Sequence, residues 1–156
     1  MRPRSSWILL GLFALLATCL PALAQDKKVY RPVVAEKLEK ILADLDFKFQ
    51  KVPGKKEGIA YYDFKRGDLT LRLHNYSGQD LWIECYFADK ATLEDLNRWN
   101  SRSKFTRAVQ VDSKDKSTIS LEAQLDCFSG ATDAIIRQFV VRFDQETKDF
   151  AKFLNK

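Results

Sequence analysis

Few side chains in this 156-residue sequence are equipped for chemistry: it has one histidine, His74, and three cysteines, Cys19, Cys85 and Cys127. A hydrolase or transferase needs an activated nucleophile and a base to take its proton, and the base is most often histidine. His74 shares its alternation with Thr70 and Arg72, opposite a row of leucines, which predicts a surface position without a catalytic role. Cys85 and Cys127 share the parity of apolar neighbours, which predicts burial away from substrate. No Cys-x-x-Cys, His pair or carboxylate cluster at a ligand spacing occurs, so no metal or cofactor is expected. Asp112 and Asp115 fall in a short turn, where acids are ordinary turn formers. Asp44 with Asp46, and Glu94 with Asp95, sit at helix ends, where acids serve solubility or the helix dipole. There is no glycine loop for phosphate. The expectation is a protein that is not an enzyme.

Two features could carry binding. Trp82, Glu84 and Tyr86 alternate with Leu81, Ile83, Cys85 and Phe87. If helices cover the second set, two aromatics flanking an acid stand on the open face of a sheet. Tyrosine and tryptophan suit interfaces because they join a large apolar area to a polar handle. The alternative is that a helix or loop covers them, or that the faces are reversed. The second feature is the basic stretch Lys51-Val52-Pro53-Gly54-Lys55-Lys56, continued by Lys65 and Arg66. It could meet an anionic membrane surface or an acidic partner, or be a solvated loop.

The chain opens with Arg2 and Arg4, an apolar run from Trp7 to Leu20, and Pro21-Ala22-Leu23-Ala24. This is the layout of a secretory signal peptide over residues 1–24, with cleavage between Ala24 and Gln25. The run is short for a membrane span, which needs about 20 apolar residues. The competing readings are an uncleaved anchor and a lipoprotein signal at Cys19, which Thr18 disfavours. A periplasmic or secreted location follows, with no membrane span after cleavage. The leader carries off two arginines and no acid, so the formal charge falls from +5 to +3. That balance, with its charges interspersed, does not suit nucleic acid. Cys85 and Cys127 remain, either as a disulfide in an oxidising compartment or as two buried thiols.

These residues are positioned by one domain. Residues 25–32 read as a flexible lead-in and 33–156 as a single fold. Pro32 opens an amphipathic helix in which Val34, Leu38, Ile41, Leu42 and Leu45 share a face, ending near Asp46. Period-two runs follow at Phe47–Phe49, Ile59–Lys65, Leu69–Leu73 and Leu81–Phe87, separated by turns at Pro53-Gly54, Arg66-Gly67 and Asn75–Gly78. Thr92 with Asp95 marks a capped helix carrying Leu93, Leu96 and Trp99. A hairpin runs from Phe105 to Val111, through a polar turn at Asp112 to Lys116, and back along Ile119 to Leu125. Thr132 caps a last helix striped with Ile136, Phe139, Val140, Phe143, Phe150 and Leu154. The class is α+β, an antiparallel sheet with helices packed on one face, in the order α-β-β-β-α-β-β-α.

That order, the stretch Leu96-Asn97-Arg98-Trp99-Asn100 with Phe105, Arg107 and Ala108, the strand Ile119 to Leu125, then Gly130, Thr132 and the Phe-rich last helix, resemble the YbjN-domain family. The likeness covers residues 33 to 154, with its specific part in the second half. It implies a fold similar to the chaperones of type III secretion, which often dimerise and hold segments of other proteins, and a role in sensory transduction that needs no chemistry. A signal peptide departs from the commoner members. The expected function is a periplasmic, chaperone-like or regulatory module that binds a polypeptide or a second copy of itself. The alternative is a carrier of an apolar small molecule or lipid between sheet and helices. Trp99 and Asn100, which carry the resemblance, are expected to be structural.

Overall fold

A computed structural model describes residues 28–88, 91–113 and 116–155, with main chain alone at 112, 113, 116 and 117. The leader, its cleavage site at Ala24 and Gln25, and the tip of the Asp112–Lys116 turn lie outside the described residues. The elements are β1 (Val29–Tyr30), α1 (Ala35–Asp44), β2 (Phe49–Pro53), β3 (Ile59–Arg66), β4 (Leu69–Tyr76), β5 (Asp80–Phe87), α2 (Leu93–Arg102), β6 (Arg107–Ser113), β7 (Lys116–Asp126), β8 (Ala131–Thr132) and α3 (Asp133–Leu154). Six strands form one antiparallel sheet in the order β2-β3-β4-β5-β7-β6, and β1 pairs with β8 apart from it. The α+β architecture is as the sequence implied, with four strands where the expected order has three between α1 and α2, and with the short β1 and β8 in addition.

Strict alternation gives the sheet two unlike faces. Tyr62, Phe64, Leu71, Leu73, Leu81, Ile83, Cys85, Phe87, Ile119 and Leu121 are buried on one of them. Against it pack Leu38, Ile41 and Leu42 of α1 and Ile136, Phe139, Val140, Phe143 and Phe150 of α3. Aromatic rings interlock in this layer, Phe150 lying 5.0 Å from Phe87 and 4.9 Å from Trp99. Lys37 ties α1 to Asp133 at the start of α3 at 2.8 Å.

The helix ends follow sequence chemistry at two of three places. Thr92 and Asp95 complete the reciprocal capping box of α2, and Thr132 accepts from Ile135 N–H at the start of α3. The start of α1 is a correction. Pro32 does not open the helix, which begins at Ala35, and Val34 is exposed while Val33 is buried. The cause is a long-range clamp. Val33 N–H donates to Gly78 O at 2.9 Å, and Asn75 Nδ2 donates to Val33 O at 3.2 Å. Gly78 has φ +71, and a Cβ there would stand 2.6 Å from Val33 O, so the turn accepts only glycine at this close approach.

Candidate functional site

The face of the sheet opposite the helices is built from the other parity of the same strands. Register aligns its residues in rows: Tyr61, His74, Trp82 and Gln124 in one, and Asp63, Arg72, Glu84, Glu122 and Arg107 in the next. Trp82, Glu84 and Tyr86 therefore share this face, as their alternation required. Tyr86 is 50% exposed, Trp82 half-buried and Glu84 buried.

His74 is the main correction. It lies on the open face, as its parity implied, but it is only 8% exposed. Its ring sits 4.8 Å from both Tyr61 and Trp82 and 5.8 Å from Tyr76. Nε2 lies 2.9 Å from Glu84 Oε1, and Nδ1 3.3 Å from the Tyr76 hydroxyl. Tyr86 donates to the other Glu84 oxygen at 2.9 Å. Tyr61 and Trp82, brought to it by strand pairing, and Tyr76, two residues on along β4, remove the imidazole from water. Arg72 makes a bidentate pair with Asp63, both bonds 2.7 Å, and Arg107 pairs with Glu122 at 2.7 Å.

Burial, and then the Glu84 carboxylate that it faces, push the Tyr86 hydroxyl up to about 12. Burial also raises Tyr76. On the other side of the sheet, burial pushes the Cys85 thiol up to about 12 and the Cys127 thiol up to about 11. A thiol or phenol so raised stays protonated near neutral pH and is a poor nucleophile. His74 and Glu84 form a base-like pair, yet no activated hydroxyl or thiol stands beside them among the described residues. Nor do three or more His, Cys, Asp or Glu side chains there group as metal ligands. No helix among the described residues is long and apolar enough to cross a membrane.

Of the two readings of the cysteines, the fold has the buried thiols: Cys85 and Cys127 are both free and buried. Cys85 pairs across the ladder with Leu121, so Cys127, six positions on and just past the end of β7, lies about 20 Å away. A disulfide needs its Cα atoms within about 7 Å. The basic stretch is partly committed to structure: Lys51 pairs with Glu39 at 2.7 Å, and Arg66 pairs with Asp144 at 3.0 Å while lying 3.8 Å over the Phe47 ring. Trp99 is buried with its indole donating to Thr106 at 3.2 Å, and Asn100 bonds the main chain of Ala108. Both are structural.

Sequence reasoning placed Arg72 on the outward parity with His74 but missed Tyr61 and Glu122 as parts of the face, and the cleft beside them. This cleft, of about 640 Å³, runs from Tyr76, Asp80 and Trp82 to Gln124, Arg107 and Phe105. Parity within β3, β4 and β7 carried the signal, but only the register joins those strands to β5. Four clefts of 280 to 640 Å³ among the described residues open to solvent, whereas a carrier would hold an apolar ligand in a cavity between sheet and helices.

An antiparallel sheet backed by helices on one side, and bearing an aromatic and acidic network on the other, defines the class of an α+β module. The YbjN family model, described as "Putative bacterial sensory transduction regulator", matches residues 35–156, and the chain belongs to that family. Among solved structures, the crystal structure of YbjN from E. coli, titled "a putative transcription regulator", is similar at a TM-score of 0.62 and 15% identity. The match covers 82% of this chain and 93% of that one. At that identity the likeness is one of fold. No curated protein matches the chain significantly.

Proposed function

We propose that this YbjN-family protein is exported to the periplasm and works without catalysis as a polypeptide-binding module. Its partner, or a second copy of the chain, docks on the open sheet face at Trp82, Glu84 and Tyr86. One observation carries the reading: a half-exposed tyrosine and a half-buried tryptophan flank a buried acid on a face that no helix covers among the described residues. Aromatic anchors beside fixed polar groups are the composition of interface centres.

Trp82 stacks on His74, so its removal also disturbs the network beneath. Tyr86→Ala is the cleaner probe. It is expected to weaken association, read by sedimentation of the purified protein and by capture of a partner from periplasmic extract, by about 2 kcal/mol if Tyr86 is an anchor. The melting temperature should stay nearly unaltered. Trp82→Ala should weaken association and also lower the melting temperature. Unchanged association in both variants would sink the assignment of this face.

A further inference from the structure

Strand β6 stops at Arg107, opposite Glu122, whereas β7 runs on to Asp126. The phase of the main chain along that unpaired stretch follows from two contacts. Asn100 takes both main-chain groups of Ala108, at 2.8 and 2.9 Å, so Ala108 faces away from β7 and its neighbours Arg107 and Glu122 form the hydrogen-bonded pair. From the other end, Cys127 N–H donates toward β5, to Gln79 O at 2.7 Å. Directions alternate along a strand, so Gln124 and Asp126 turn their N–H and C=O away from β5. They point into a notch that no strand occupies among the described residues, and both residues are exposed. Unpaired edge groups of this kind are the template for an added strand.

The surroundings set the chemistry of what is added. The notch opens onto the 640 Å³ cleft, where Trp82 and Tyr76 supply aromatic faces. Asp80 and Asp126 are direct cross-strand partners on the open face, two like charges whose repulsion a cation relieves. Asp80 accepts from Gln124 Nε2 at 3.1 Å and Asp126 from Phe128 N–H at 2.8 Å, and neither joins the ion pairs found among the described residues. Arg107, the cation in the cleft lining, is held by Glu122 at 2.7 Å.

We propose that the notch takes an extended polypeptide segment that continues the sheet where β6 stops, with a lysine or arginine side chain reaching over Trp82 to Asp80 and Asp126. A residue paired with Gln124 projects on the Gln124 face and lies two strand spacings, about 10 Å, from the main chain of Trp82. A long cationic side chain spans that gap and meets the ring as a cation–π contact. The inference rests on the reading of this face as polypeptide-binding and fixes the chemistry of the segment bound.

The test titrates the purified protein with a fluorescein-labelled, end-blocked Thr-Val-Thr-Lys-Thr-Val peptide, following polarisation and the amide signals of Gln124 and Asp126 by NMR. Binding should protect the Gln124 amide from exchange. N-methylation of the peptide main chain, replacement of its lysine by glutamate, and the Asp80→Asn/Asp126→Asn double variant should each weaken binding by about tenfold or more. The first of these removes main-chain pairing alone, and the last leaves the fold in place, as its melting temperature should show. No binding up to millimolar peptide, equal binding of the N-methylated peptide, equal competition by n-butylamine, or protection of Gln124 by self-association alone would each overturn the assignment. If the peptide fails while Tyr86→Ala still weakens partner association, the notch falls and the face stands. If the peptide behaves as expected and Tyr86→Ala changes nothing, the notch stands and the wider face falls.

Discussion

The contrast between His74 and the two cysteines shows how far a residue type alone determines its surroundings. Burial of Cys85 and Cys127 follows from their own strands, because each continues an apolar parity. The same logic put His74 in water, and the structure buries it, since Tyr61 and Trp82 reach it from neighbouring strands. Which residue stands opposite which is a property of register, and one strand read alone does not carry it. The buried thiols make a testable pair. Their folded values, about 12 for Cys85 and about 11 for Cys127, lie above the unfolded thiol value of about 8.5. The folded state therefore favours the protonated form more than the unfolded state does. The stabilisation is complete below the unfolded value and is lost as pH rises through 11 to 12. Iodoacetamide at pH 8 should leave both cysteines unmodified in the native protein and alkylate both in denaturant, as read by peptide mass mapping. The guanidinium midpoint should fall steadily above pH 9. A native Cys85–Cys127 disulfide in the same map would overturn the strand register.

At the scale of elements, the segment that carries the family resemblance works as a joint. Trp99 plugs the core against Phe150 and Phe153, and Asn100, the next residue, turns its amide to the outer edge of β6. One carboxamide thereby satisfies a strand's N–H and C=O at Ala108, fixing α2 to the sheet and covering that edge position. Asn100→Ala should cost about 1 to 3 kcal/mol, because it leaves two main-chain groups without partners. Thr92→Ala, which removes only the cap of the same helix, should cost about 1 kcal/mol. Denaturant melts of the two variants compare them directly, and equal losses would mean that the joint contributes no more than a cap. The caps at Thr92 and Thr132 were legible because they are local motifs. The start of α1 was not, because the residue that decides it, Gly78, lies more than forty positions away along the chain.

At the scale of the whole molecule, the long α3 and the pairing of β5 with β7 close the fold: the second half supplies both the last helix and the strands that finish the sheet begun in the first. The proposed export has to be compatible with that closure. β1 begins at Val29 and pairs with β8, Val29 with Thr132 and Tyr30 with Ala131, while the Lys37 ammonium lies 4.5 Å over the Tyr30 ring. Cleavage before Gln25 leaves this strand pair and its neighbours intact. A start beyond Tyr30 removes them, exposing Ala131, which is 1% exposed in the fold. The protein recovered from the periplasm should therefore have the intact mass of a chain starting at Gln25, or within a residue or two of it. A recombinant chain starting at Gln25 should melt at the same temperature as the exported one, and one starting at Pro32 should melt several degrees lower, since about 1 kcal/mol shifts a domain of this size by a few degrees. A mature N-terminus at a lipidated Cys19, or a full-length chain recovered with the membrane, would show that the leader works as an anchor and that the sheet face is presented from a membrane surface.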